Sequence, residues 1–94
     1  MKEAENLSWL ISEILNRAIR EKRGRLTMIS DMCGINRSEL TIEGISKMKF
    51  DRVVRLCKAV AYVLPEDCYN QMKTDISTII QKHLSDIDGY FLSK

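Results

Sequence analysis

Few side chains in this sequence are arranged as catalytic groups usually are. His83 is the only histidine, so any Ser-His-Asp or Cys-His arrangement would have to use it, and no motif surrounds it. The four glycines are scattered, which argues against a glycine-rich phosphate loop. The Glu66-Asp67 pair opens a predicted helix, where the helix dipole explains two carboxylates. We therefore expect no enzyme, no catalytic residue and no cofactor.

The three cysteines, Cys33, Cys57 and Cys68, are odd in number and show no close pairing. Each occupies an apolar position of a predicted helix, which indicates small core residues. With one histidine in the chain, we expect no metal site.

Polar side chains cluster instead in the segment Leu26–Ile45, which holds two short apolar-periodic stretches separated by three residues. Thr27 can cap the first stretch, because its hydroxyl can accept from a backbone N–H of the first turn. Asn36 can cap the second, and Glu39 three residues later can complete a capping box. Gly34 supplies the positive φ that the end of a helix commonly requires. The pattern predicts two short helices joined by a tight turn. Four apolar residues are expected to face inward there: Ile29, Cys33, Ile35 and Leu40.

The same segment resembles the helix-turn-helix of the lambda-repressor-like (Cro and C1 type, XRE) DNA-binding domains. The likeness rests on the Leu26-Thr27 opening, on the small residue Ser30 before the turn and on the turn glycine Gly34. The sequence departs from the family pattern at Glu43, where a second apolar residue of the recognition helix is common.

The resemblance extends to Phe50–Val60, which looks like the helix that follows in that family, and Trp9–Lys22 fits as its first helix. The resemblance therefore covers about Leu26 to Leu64, and it also includes the first helix. The connection from Leu40 to Phe50 is shorter than usual for the family.

The resemblance implies double-stranded DNA as the partner and assigns roles to individual residues. The family's base-reading positions correspond to Asn36, Arg37, Ser38, Thr41 and Ile42. The positions expected to meet phosphates are Arg25, Thr27, Lys47 and Lys49. Arg37 could then bind guanine O6 and N7 with two hydrogen bonds, and Ile42 or the Thr41 methyl could meet a thymine methyl.

The charge distribution agrees with a polyanionic partner. Residues 17–58 carry eleven basic and five acidic side chains, a net charge of +6, whereas the rest of the chain carries −4 and the total is +2. A basic segment between acidic ends suits a nucleic-acid-binding face, although arginine-rich solvated helix faces would give the same count.

Apolar periodicity predicts three further helices. The first runs from about Ala4 to Lys22, the next from Phe50 to Val63, and the last from Pro65 to about Leu84 or Ile87. In the helix after Phe50, one apolar face is expected to contain Phe50, Val53, Val54, Cys57, Val60, Ala61 and Leu64. We therefore expect an all-α fold, a compact bundle of about five helices that contains a helix-turn-helix and ends in a long helix.

The last predicted helix has an apolar stripe that leaves two interpretations open. It can pack on its own domain, or it can pair with a second copy of the chain. A tentative dimer interface consists of Met72, Ile76, Ile79, Ile80 and His83. Residues 1–94 would form a single domain, with a core over residues 4–64 and a C-terminal helix over residues 65–88.

No apolar run approaches the roughly 20 residues of a membrane span, and no signal peptide opens the chain, so we expect a cytoplasmic protein without a membrane partner. No small-molecule ligand is evident. The sequence favours sequence-specific DNA binding by a small, repressor-like transcriptional regulator. The alternative is a helical protein–protein interaction module that uses the basic face or the C-terminal helix and does not bind DNA.

Overall fold

The computed structural model describes residues 6–92, and for residues 87–92 it describes the backbone alone. The predicted all-α fold is confirmed. Residues 6–92 form five α-helices and one 3₁₀ turn, with no strand among them. In chain order the elements are α1 (Leu7–Arg20), α2 (Arg25–Cys33), the 3₁₀ turn (Arg37–Glu39), α3 (Ile42–Ser46), α4 (Phe50–Val63) and α5 (Glu66–Leu92).

Helix α1 begins at Leu7 because Asn6 caps it. The Asn6 side chain accepts a hydrogen bond of 2.8 Å from the backbone N–H of Ser8. The predicted start at Ala4 lies outside the described residues, and the helix ends at Arg20, two residues before the predicted Lys22. Four apolar residues of α1 at helical spacing are buried in the core: Ile14, Leu15, Ala18 and Ile19.

Helix α2 begins two residues earlier than Thr27, so the prediction that Thr27 caps it is wrong. The N-cap is Gly24, which has a φ of +86° and supplies no side-chain cap. The end of the helix is as predicted: Gly34 has a φ of +70°, and its N–H donates to the carbonyl of Ser30 at 3.0 Å. The four residues predicted to face inward around this turn are all buried: Ile29, Cys33, Ile35 and Leu40.

The second half of the predicted helix-turn-helix is two elements rather than one helix. The 3₁₀ turn Arg37–Glu39 ends at Leu40, whose φ of −88° and ψ of 59° are not helical. Thr41 then caps α3, since its hydroxyl oxygen accepts from the backbone N–H of Gly44 at 3.0 Å. The connection from Leu40 to Phe50 therefore contains the short helix α3.

Helix α4 has the predicted bounds but presents a different face to the core. Leu56, Ala59 and Val60 are buried, whereas Phe50 is 83% exposed. Val60 and Leu64 of the predicted apolar face are buried, so that part of the prediction is confirmed. The inclusion of Phe50 and the omission of Leu56 were wrong, because the buried side of the helix is rotated toward Leu56.

Helix α5 is longer than predicted and continues to Leu92. Its first half packs against α1, and Met72 there is only 6% exposed. Ile76 and Ile79 are half-buried against the same core. None of the helices described is long and apolar enough to cross a membrane.

Candidate nucleic-acid interface

Arg37 and Thr27 meet at the exposed corner between α2 and the 3₁₀ turn. Arg37 Nη1 donates to Thr27 Oγ1 at 3.3 Å, and both residues are exposed. The predicted base-reading arginine and the predicted phosphate-binding threonine are therefore adjacent, although they are ten positions apart in the chain. The remaining guanidinium donors and the Thr27 O–H are left for a ligand.

Asn36 and Ser38 complete this exposed corner. Asn36 Oδ1 accepts from the backbone N–H of Ser38 at 3.0 Å and from its hydroxyl at 3.1 Å. The carbonyl end of the Asn36 amide is thus used in capping, while its NH₂ group retains two donors. We call the set of Thr27, Asn36, Arg37 and Ser38 the polar corner. It combines hydrogen-bond donors and acceptors on backbone that the Gly34 turn and the Asn36 cap hold in place.

Thr41 and Ile42 lie on the far side of the Leu40 bend rather than on the same helix as Arg37. They border a shallow groove of about 460 Å³ between α3 and α1, together with Trp9 and Arg20. Thr41 is exposed and Ile42 is half-buried. The five predicted base-reading residues are consequently divided between two short elements, and the expectation of one continuous recognition helix is corrected.

Arg20 fixes the position of the Leu40 bend. Its Nη2 donates to the Leu40 carbonyl at 2.9 Å, and its Nε donates to Asn16 Oδ1 at 2.9 Å. The carbonyl at the bend lies outside regular helical bonding, so this charge-assisted hydrogen bond from α1 holds it.

Both carboxylates near the corner have cationic partners. Glu39 Oε1 accepts from Arg52 Nη1 at 2.9 Å, and Glu43 Oε1 accepts from Lys47 Nζ at 2.8 Å. The hydrogen bond from Arg52 lowers the pKa of Glu39, and the hydrogen bond from Lys47 lowers the pKa of Glu43. The departure from the family pattern at Glu43 also has a structural reason, because this residue occupies the first turn of the separate helix α3.

The four residues predicted to contact phosphate differ in accessibility. Thr27, Lys47 and Lys49 are exposed. Arg25 is only 7% exposed, and its Nη1 donates to the Ala18 carbonyl at 2.7 Å, tying α2 to α1. Arg25 is therefore a structural residue, which corrects its prediction as a phosphate contact.

The predicted dimer residues on α5 also separate into two groups. Met72 is buried in the core of its own chain and is not available to a partner. Ile80 is 37% exposed and Leu84, one turn further, is 49% exposed. His83 is half-buried, with Nδ1 at 3.0 Å from the Ile79 carbonyl.

Sequence reasoning missed two side chains that organise this region. Arg20 and Arg52 hold the bend and the 3₁₀ turn from α1 and α4, respectively. In the sequence they are two arginines among many, and only the mutual placement of distant segments distinguishes them. Nothing in the sequence indicated that Asn16 would accept a hydrogen bond from Arg20 either.

The cysteines fit the predicted role of small, partly buried residues. Cys33 is buried, Cys57 and Cys68 are half-buried, and all three are free thiols. Burial raises the pKa of the Cys57 thiol, which reduces its reactivity. In the part of the chain that the structure describes, no three His, Cys, Asp or Glu side chains are grouped as metal ligands.

Comparisons with protein-family models, with curated proteins and with solved structures find no match to this chain.

Proposed function

We propose that this chain binds double-stranded DNA through the polar corner and acts as a small, repressor-like transcriptional regulator of the lambda-repressor-like type. The observation that carries the proposal is the contact between Arg37 and Thr27. It brings a side chain suited to guanine next to a hydroxyl suited to phosphate, at an exposed turn between helices.

The electrostatics of the surrounding segment support this proposal. Residues 17–58 have a net charge of +6, and Glu39 in the 3₁₀ turn and Glu43 in α3 are both paired. Pairing reduces the repulsion that Glu39 and Glu43 would otherwise exert on phosphates. Lys49, at the N-terminus of α4, adds an exposed positive charge.

In the proposed complex, the 3₁₀ turn and α3 together replace a single recognition helix. Arg37 reads a guanine, Asn36 and Ser38 contact a base edge or a phosphate, and Thr41 and Ile42 contact an adjacent position through their methyl groups. Because the backbone bends at Leu40, the base-reading surface on each element is short.

We further propose that two copies pair through the exposed half of α5. The helix of 27 residues is about 40 Å long at 1.5 Å per residue, and its first half is used by the core. Ile80 and Leu84 remain exposed one turn apart on the second half. The interface proposed here is thus Ile80, His83 and Leu84, and it excludes the buried Met72. A two-fold dimer would present two polar corners to a duplex, and helix-turn-helix dimers bind half-sites that are one helical turn or a multiple of it apart.

The test of DNA binding is fluorescence anisotropy of random-sequence duplex DNA at low salt. A helix-turn-helix protein binds such DNA with a Kd of roughly 10⁻⁴–10⁻⁶ M at physiological salt and binds more tightly as salt falls. Absence of binding at low salt would reject the proposal and favour the alternative, a protein-interaction module without DNA binding.

A further inference from the structure

A groove lies between the C-terminal turn of α2 and helix α4, on the α4 side of the Gly34 turn. Its volume is about 480 Å³, and small residues, Cys33, Gly34 and Ala59, form part of its lining. Met32 contributes from α2 and Tyr62 from α4. Arg52, which holds the 3₁₀ turn, lies about one helical turn before Arg55, the first residue of α4 in the lining.

The apolar side chains bordering this groove are unusually exposed. Tyr62 is 80% exposed and Met32 is 46% exposed, and Met28, one turn before Met32 on α2, is 53% exposed. Tyrosine presents a large, rigid contact area with few rotatable bonds, and methionine adapts its shape to different partners. These are side chains that protein-binding surfaces use more often than solvated helix faces do.

The lining of the groove carries two positive charges, from Arg55 and Lys58, and one negative charge, from Asp31, so its net charge is positive. Arg55 and Lys58 border it, and neither forms an ion pair with a carboxylate among the described residues. Arg55, Lys58 and Tyr62 follow one another at three- and four-residue spacing, so they share one face of α4. A partner that covers Tyr62 therefore also contacts Arg55 and Lys58.

We propose that this groove binds an acidic amphipathic helix from a partner protein. The apolar face of that helix packs on Met32 and Tyr62, and its carboxylates lie beside Arg55 and Lys58. A helix fits better than a strand, because residues 6–92 contain no sheet edge to which a strand could add. The apolar, concave lining favours a polypeptide over a nucleic-acid backbone. This proposal is independent of DNA binding at the polar corner.

The probe is a displayed library of helical peptides of about 18 residues, selected on the full chain with randomised side chains on all faces. Counter-selection on Tyr62→Ser removes peptides that bind elsewhere. We expect the enriched peptides to carry apolar residues at three- and four-residue spacing and an excess of Asp and Glu. The affinity of one enriched peptide is then measured by anisotropy for the wild type and for four variants.

Two variants alter the groove and two serve as matched controls. Tyr62→Ser and Arg55→Glu should each weaken peptide binding about tenfold or more, since a central tyrosine and a charge reversal both affect the contact directly. Phe50→Ser removes an exposed aromatic from the other end of α4, and Lys82→Glu reverses an exposed charge on α5; both should leave peptide affinity unchanged. Circular dichroism and thermal unfolding of each variant show whether its fold is intact.

Three results would overturn the proposal. One is a selection that enriches no peptides or enriches them without acidic bias. Another is a loss of DNA affinity in Tyr62→Ser and Arg55→Glu with no effect on peptide affinity, which would make the groove a nucleic-acid surface. The third is a loss of self-association in the same variants, measured by light scattering, which would make the occupant a second copy of the chain.

Discussion

Arg37 is the side chain through which the two halves of the polar corner are joined. Its guanidinium contacts Thr27 Oγ1 at 3.3 Å, and a guanidinium has five N–H donors in all. If the proposed function holds, this contact limits the freedom of a long side chain in the free protein and so lowers the entropy lost on binding DNA. At this scale, single substitutions test whether the proposed base reading can be separated from electrostatic attraction.

Substituting Arg37 by alanine should weaken binding to the preferred DNA site by about 1–3 kcal/mol and relax the preference at one base pair. The reason is the loss of two hydrogen bonds to one guanine. The measurement is anisotropy with the preferred duplex and with single-base variants of it. Arg17→Ala, which removes an exposed arginine from α1, is the matched control. Equal losses on preferred and random DNA for Arg37→Ala would show that Arg37 contacts only the backbone.

Arg25→Ala should lower stability without changing the salt dependence of DNA binding. The buried guanidinium donates to the Ala18 carbonyl at 2.7 Å, and loss of such a charged hydrogen bond costs about 1.5–3 kcal/mol in the free energy of unfolding. Urea unfolding and a salt titration of DNA affinity provide the two measurements. If Arg25→Ala instead lowers the salt slope of DNA binding and leaves stability unchanged, Arg25 contacts a phosphate as the sequence predicted.

Lys49→Ala, in contrast to Arg25→Ala, should change the salt dependence of DNA binding and leave stability nearly unchanged. The residue is exposed at the start of α4 and forms no ion pair among the described residues, so stability should hardly change. The logarithmic salt slope should fall by about 1, because one phosphate contact is lost, and affinity should fall similarly for all DNA sequences. An unchanged slope would place Lys49 away from the DNA.

At the scale of elements, the bend at Leu40 is what separates this chain from a simple helix-turn-helix. Three features produce it: the Asn36-capped 3₁₀ turn, the Thr41 cap of α3 and the close approach of Gly44 to the Glu39 backbone. Arg20 holds the carbonyl at the bend. Together they determine how Arg37 and Thr41 are placed relative to each other.

Gly44→Ala tests the bend. A Cβ at position 44 would overlap the Glu39 carbonyl oxygen and come within 2.9 Å of its carbonyl carbon, so the backbone on one side must move. We expect a loss of about 1–3 kcal/mol in the free energy of unfolding, as for other forced overpacking, together with weaker DNA binding. Ser46→Ala, in the same short helix, is the comparison. Full stability in Gly44→Ala would show that the bend tolerates a side chain.

The pair Phe50→Ser and Leu56→Ala tests the rotation of α4. Phe50 is 83% exposed, so its substitution should change stability little, whereas Leu56 is fully buried and its truncation should cost about 2–5 kcal/mol. Chemical denaturation of both variants gives the comparison. If Phe50→Ser destabilises the protein strongly and Leu56→Ala does so only slightly, then α4 buries the face that the sequence predicted.

Helix α4 and the Leu40 bend show which structural features could be predicted from the sequence and which could not. The bounds of α4 and the left-handed Gly34 turn were predictable, because apolar periodicity and a glycine at a helix end are local signals. The buried face of α4 was not, since apolar residues occupy more than half of its circumference and its neighbours decide which of them is covered. The Leu40 bend was missed because apolar spacing continues through it, and the approach of Gly44 to Glu39 is a feature of the folded backbone.

The polar corner itself was only partly predictable. Arg37 and Asn36 were assigned to base reading from the resemblance to the helix-turn-helix family, and both are exposed. Arg25 could not be distinguished from an exposed arginine, because its burial depends on the packing of α2 against α1. The pairing of Glu39 with Arg52 depends in the same way on how α4 packs.

On the scale of the whole molecule, the basic central segment and the long α5 define the expected assembly. The molecule extends 49 Å along its longest axis and 27 Å and 21 Å across it. The first half of α5 belongs to the core, while Ile80 and Leu84 on the second half are exposed. This division allows one part of the helix to stabilise the domain and another to pair with a second copy.

The double variant Ile80→Lys, Leu84→Lys should abolish the proposed dimer and leave the monomer folded. In a dimer, the two lysines of each chain would face those of the other chain across the two-fold axis and repel them. The native Ile80 and Leu84 are not buried in their own chain, so the monomer should keep its fold. Light scattering over a range of concentrations measures the mass, and circular dichroism checks the fold. Gln81→Lys, at an exposed position between them, is the control. A wild-type monomer at high concentration and on DNA would contradict the dimer.

The central claim, that the polar corner reads DNA sequence, is tested most directly by selecting binding sites for the wild-type protein from a random duplex library. We predict that one short motif is enriched and that it contains a guanine whose replacement lowers affinity by about 1–3 kcal/mol. Failure of the folded protein to enrich any motif, whether or not it binds random DNA at low salt, would contradict it.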